Sequence, residues 1–111
     1  MARGGFPGMG GANMQQLMRQ AQKMQQDMLR KQEELQAREF TSTAGGGMVT
    51  ATVTGAKELT SLTISPDCVD PDDVEMLQDL VLAAVNGALH EALETTEREM
   101  SKLTGGMNLG L

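Results

Sequence analysis

Between residues 14 and 35 the apolar side chains return every three and four positions. With Met14 as heptad position a, the a sites are Met14, Ala21, Met28 and Leu35, and the d sites are Leu17, Met24 and Lys31. A stripe this narrow is a coiled-coil seam, not the broader apolar face of a helix resting on a core. The pattern predicts a first helix from a cap at Asn13 to about Arg38, and that helix needs a partner along one edge.

After it the period changes. Residues 39–44 are rich in Thr and end at Gly45-Gly46-Gly47; residues 48–54 alternate Val49, Ala51 and Val53 with Thr50, Thr52 and Thr54. Residues 59–65 place Leu62 and Ile64 on one face. Period-two alternation between two short glycine-containing turns predicts three strands in an antiparallel meander. Asp70-Pro71-Asp72-Asp73 then reads as a helix start, with Asp70 as cap and Pro71 in the first helical position. The second helix runs to about Leu103. Its first half is a broad apolar face of Val74, Leu77, Leu80, Val81, Ala84, Val85 and Ala88. Its second half narrows to Leu89, Leu93, Thr96, Met100 and Leu103, a second seam.

Lengths convert these elements into a shape. The second helix is about 50 Å long at about 1.5 Å per residue, whereas a seven-residue strand spans about 23 Å. It starts where the meander ends, crosses the sheet and overshoots it beside the first helix. The two seams then pair antiparallel. The expected fold is α+β, in the order α-β-β-β-α, with a small sheet base and a projecting two-helix arm. Residues 13–104 form the domain, between a flexible Gly-rich lead at 1–12 and a flexible tail at 105–111.

Composition adds an oligomer and a charge asymmetry. With two Phe and no Trp or Tyr in 111 residues, one copy has little to bury, so a homodimer is expected. The single Cys68 cannot form an internal disulfide. No apolar run reaches membrane-spanning length and the N-terminus lacks a signal-peptide core, so a cytoplasmic protein is expected. The net charge is −6, yet residues 1–38 carry +3 and residues 39–111 carry −9. The basic half is the arm.

Candidate chemistry is sparse. His90, the one histidine, has no positioned partner for general-base work. Asp67, Asp70, Asp72 and Asp73 lack the spacing of a calcium loop and suit the start of a helix instead. No catalytic, metal or cofactor site, and no small-molecule substrate, is expected. The suggestive group is on the first helix: Arg19 at heptad f, with Lys23 and Arg30 at c, on the edge away from the seam. Cations on a long helix, backed by Gln16 and Gln26, suit the phosphates of duplex DNA. The lack of Trp and Tyr argues against a single-strand stacking platform.

Four stretches together carry a resemblance: NMQQLMRQAQKMQQDM, GGGMVTATVTGAKELTSLTISP, DPDDVEMLQDLVLAAVNGAL and TGGMNLGL. They resemble the YbaB/EbfC family of bacterial nucleoid-associated proteins over residues 13–107. The resemblance implies a tweezer-like homodimer that binds DNA with its projecting helices, has no enzyme activity and resides on the nucleoid. By position it implicates Arg19, Lys23 and Arg30 on the first helix and Arg98 and Lys102 on the second. Relatives often carry basic residues on the second strand, where this chain has Thr50 and Thr52 and only Lys57 nearby. The expected function is therefore weak to moderate, salt-dependent binding of duplex DNA with low sequence preference. The competing expectation is a protein-interaction module whose Met-rich arms grip a protein partner.

Overall fold

The computed structural model describes residues 5–104, with side chains from residue 13 onward. Helix α1 spans Gly5–Ala37, strands β1, β2 and β3 span Glu39–Ala44, Val49–Thr54 and Leu59–Ile64, and helix α2 spans Val74–Thr104. The strands form one antiparallel sheet in the order β1-β2-β3. The element order and the meander are those expected, and the molecule is elongated, 88 × 25 × 16 Å.

Two helix starts differ from the expectation. Helix α1 begins at Gly5, eight residues before Asn13, so Asn13 is an interior residue and not a cap. Pro7 is compatible with this because it lies in the first turn, where an N–H has no intrahelical acceptor to lose. Residues 1–4 and the tail 105–111 lie outside the described residues. Helix α2 begins at Val74, and its cap is Asp73, whose Oδ1 accepts from the Met76 N–H at 3.2 Å. Asp70 and Pro71 belong to a turn instead. The Asp73 N–H donates to Asp70 O at 2.9 Å, and the Asp72 N–H donates to Asp70 Oδ1 at 2.9 Å. Asp-Pro suits the first two positions of a β-turn as well as a helix start, so the sequence pattern could not separate the two.

The core is a sandwich of α2 on β1 and β2. Val49, Ala51 and Val53 of β2 are fully buried, with Phe40 of β1 beside Val53 and Ala88 and Ala92 above them. Val49, Ala51, Ala84 and Cys68 form the adjoining cluster, which Leu77, Leu80, Val81 and Val85 flank. The opposite face of the sheet is hydroxyl-rich: Thr41 pairs with Thr52, Thr43 with Thr50 and Thr50 with Thr63. That alternation is what a sheet covered on one side requires.

The buried line on α2 runs through Ala84, Ala88, Ala92 and Thr95. That line faces the sheet. Of the predicted seam, Leu89, Thr96, Met100 and Leu103 are half-buried, whereas Leu93 is 42 % exposed and does not belong to it. Small residues let the helix backbone sit close to the sheet, and Gly87 lies directly against the Ser42 side chain. The leucines are therefore displaced to the flanks of the contact.

Both turns use left-handed backbone. Gly45, Gly46 and Gly47 have φ of 64°, 68° and 93°, a run of three that glycine adopts without steric cost. In the β2–β3 turn Lys57 takes φ 68°, held by its N–H donating to Thr54 O at 2.8 Å. Gly55, next to that turn, is where the arm is joined to the base. Its N–H donates to Arg38 O at 3.0 Å, and a Cβ at this position would collide with the Leu35 carbonyl.

Candidate nucleic-acid interface

Helices α1 and α2 run antiparallel beyond the sheet. Lys31 faces Glu99, and nearer the N-terminus of α1, Met24 and Gln20 share a shallow depression with Leu103. The a and d positions of α1 close progressively toward the base. Met24, Met28 and Lys31 are half-buried, and Leu35 is 1 % exposed. The heptad seam is therefore real in this half of the helix, and its partner is α2 of the same chain.

The ionic centre of the arm is Glu99. Its Oε1 lies 3.0 Å from Lys31 Nζ and its Oε2 lies 2.9 Å from Lys102 Nζ. The hydrogen bond from Lys102, followed by that from Lys31, holds the Glu99 carboxyl down at about 2, from an ordinary 4.5. Lys31 is raised in turn, chiefly by its bond to Glu99, and it also reaches Glu34 at 3.4 Å. Lys31, a cation at a d position of the seam, is thus a cross-helix tie. The sequence carried the signal as a cation at a d position and an acid beside the second seam, but pairing them required the register of the two helices.

The predicted contact residues separate into two groups. Arg30 pairs with Asp27 at 3.5 Å with its side chain 74 % exposed, and Lys102 is engaged with Glu99. Arg19, Lys23 and Arg98 are exposed and make no ion pair among the described residues. Lys23 does not lie on the edge opposite the seam. It lines the depression with Gln20, Met24, Asp27 and Leu103, so it flanks the α1–α2 junction. Arg38, at the root of the arm, has its guanidinium 5.7 Å from the centre of the Phe40 ring.

The residues weighed for other chemistry have local explanations. His90 Nε2 lies 2.9 Å from Glu94 Oε1 on the exposed side of α2. Cys68 is buried, and its thiol donates to Ser65 O at 3.2 Å. Asp70 and Asp73 are occupied by the turn and the cap. Among the described residues no group of His, Cys, Asp and Glu side chains could hold a metal, and no helix is long and apolar enough to cross a membrane.

The described residues thus form a small α+β protein in which a sheet base carries an antiparallel two-helix arm, with exposed cations on both arm helices. A family model described as the YbaB/EbfC DNA-binding family matches residues 9–107, and the chain belongs to that family. A nucleoid-associated protein of Clostridium acetobutylicum is 61 % identical over 109 residues, covering 98 % of this chain and 97 % of that protein. One of Clostridium novyi is 63 % identical over 110 residues, covering 98 % and 96 %. Among solved structures, an uncharacterized protein of Helicobacter pylori is similar with a TM-score of 0.58 at 26 % identity, covering 70 % of this chain and 90 % of that one.

Proposed function

We propose that this chain is a non-enzymatic, nucleoid-associated homodimer that binds duplex DNA mainly through phosphate contacts, with little sequence preference. The observation that carries this reading is the placement of Arg19, Lys23 and Arg98: exposed, without ion pairs among the described residues, and all on the arm of a chain with net charge −6. Exposed cations that no carboxylate holds can meet phosphates locally, while the net charge of −6 keeps the overall attraction modest. Arg30 contributes as well, because an exposed pair with Asp27 has little energy to lose when a phosphate replaces the carboxylate. Lys102 is divided between Glu99 and any phosphate, so it is the weakest of the five.

The dimer contact in this reading is made by the base. Helix α2 covers β1 and β2, and β3 is left at the margin, with Leu59 and Leu62 46 % and 40 % exposed. An open apolar depression lined by Ile64, Leu77, Gln78, Val81 and Leu82 lies beside it. A second copy placed there covers an edge strand that is otherwise open to pairing.

The test is fluorescence anisotropy with a random-sequence duplex over a salt series. Log affinity falls by about 0.9 per log unit of salt for each phosphate neutralised. The combined reversal Arg19→Glu, Lys23→Glu and Arg98→Glu abolishes the signal while far-ultraviolet circular dichroism and a dimer mass by sedimentation are retained. Full binding by the triple variant would overturn the assignment of these residues. No binding by the unmodified protein at any salt, together with a protein partner retained after nuclease, would favour the protein-gripping alternative.

A further inference from the structure

The middle of the arm is closed by thioethers. Met24, Met28 and Met100 are half-buried, and the antiparallel register, with Lys31 opposite Glu99 and Met24 beside Leu103, sets Met28 level with Met100. Leucine is the common choice at a and d positions; methionine fills them with similar volume but adds a sulfur that can be oxidised. Half-burial leaves these side chains within reach of a small oxidant, whereas the one thiol, Cys68, is 2 % exposed in the base. We propose that Met28 and Met100, with Met24 beside them, form a reversible oxidation site through which hydroperoxides part the two helices of the arm.

The chemistry is a two-electron oxygen transfer. A sulfur lone pair attacks one oxygen of hydrogen peroxide, and the S–O bond forms as the O–O bond breaks. The departing hydroxide takes the proton from the transferred oxygen and leaves as water, so the thioether is oxidised to a sulfoxide and the peroxide is reduced. Thiol-dependent reduction reverses the step: the oxygen leaves as water and two thiols become a disulfide. A sulfoxide is a polar acceptor in a place shaped for an apolar side chain. The cations at this level, Lys31 and Lys102, are already held by Glu99. A sulfoxide oxygen must therefore displace that pair or turn out to water, and either outcome unseats its side chain from the seam. The parting stops at the root, where Leu35 is 1 % exposed and carries no sulfur. Met14 and Met18, 60 % and 59 % exposed, oxidise without breaking a contact between the helices among the described residues. Weakened DNA binding after oxidation would rest on the function proposed above, but the opening of the arm does not.

Amide hydrogen exchange on the full chain, with each methionine followed by peptide mass spectrometry, tests this without DNA. Once hydrogen peroxide has converted Met28 and Met100, exchange at residues 22–31 accelerates about tenfold or more while residues 49–64 of the base are unchanged. In the variant Met24→Leu, Met28→Leu and Met100→Leu, the same treatment still oxidises Met14 and Met18 and leaves exchange at residues 22–31 where it was. Treating the oxidised natural chain with both methionine sulfoxide reductases and dithiothreitol restores slow exchange, a readout that needs no variant. Full oxidation of Met28 and Met100 with unchanged exchange overturns the proposal. So does equal acceleration in the variant, because another methionine is then responsible. Resistance of Met28 and Met100 to peroxide that exhausts Met14 and Met18 overturns it as well, since the seam then shields its sulfurs.

Discussion

Helix α1 is one seam with two fates. From Met24 to Leu35 it lies against α2 and the base, closing to the fully buried Leu35; from Met14 to Ala21 the same heptad positions are open to solvent in the described structure. The letters of the repeat are identical in both halves, so the difference does not come from α1. Among the described residues α2 accompanies only the first stretch, reaching Met24 with Leu103. A heptad pattern states that a partner is needed. How far the partner reaches is set by another part of the chain, and the uncovered remainder is where further binding has to be sought.

The two halves should respond to mutation on different scales. Leu35→Ala removes a fully buried side chain at the root of the arm and should cost about 2–5 kcal/mol, read as a lowered urea midpoint with an unchanged slope. A loss below about 0.5 kcal/mol would mean the root is not part of the cooperative core.

Acid tests the middle of the arm. The Glu99 carboxyl is depressed to about 2, so its stabilising effect is complete above its ordinary 4.5 and is lost as pH falls from there toward about 2. Amide exchange at residues 24–32, corrected for its intrinsic pH dependence, should speed up across that window in the unmodified protein. In Glu99→Gln the extra acid sensitivity should disappear. Persistence of the same dependence in that variant would move the effect to another carboxylate. The raised Lys31 acts at the other extreme, where its contribution fades only as pH climbs past 10.5.

The smallest effect belongs to the open half. Leu17→Ala should change stability by no more than about 0.5 kcal/mol, as for an ordinary surface substitution, and leave the urea midpoint in place. A cost above about 1 kcal/mol would mean that Leu17 is covered in solution.

Much of the fold was legible because it rested on periodicity. The α1 seam, the three strands and the order of elements follow from spacings of 3.5 and 2 that few other arrangements satisfy. Leu93 was misplaced in the α2 seam, because close approach to the sheet selects Ala88 and Ala92 and leaves Leu93 exposed. Asp70-Pro71 was assigned to the helix because turn and helix start share the same residues. The arm's cations were legible as residue types on a helix. The pairs Arg30–Asp27 and Lys102–Glu99 lie within one helix at i,i+3, but Lys31–Glu99 depends on the register of α1 against α2, which neither helix specifies alone.

Gly55 turns the arm into a lever. The Leu35 carbonyl and the Arg38 backbone meet the sheet at that residue, with no room for even a methyl group between them. Met14 stands about 32 Å of helix away from Leu35. A tilt of about 10° at the joint moves the far end by about 5 Å, more than the 3.4 Å step between bases along a DNA strand. The direction in which the arm leaves the base is thus set by one close backbone contact, and a single added carbon at Gly55 would swing its far end.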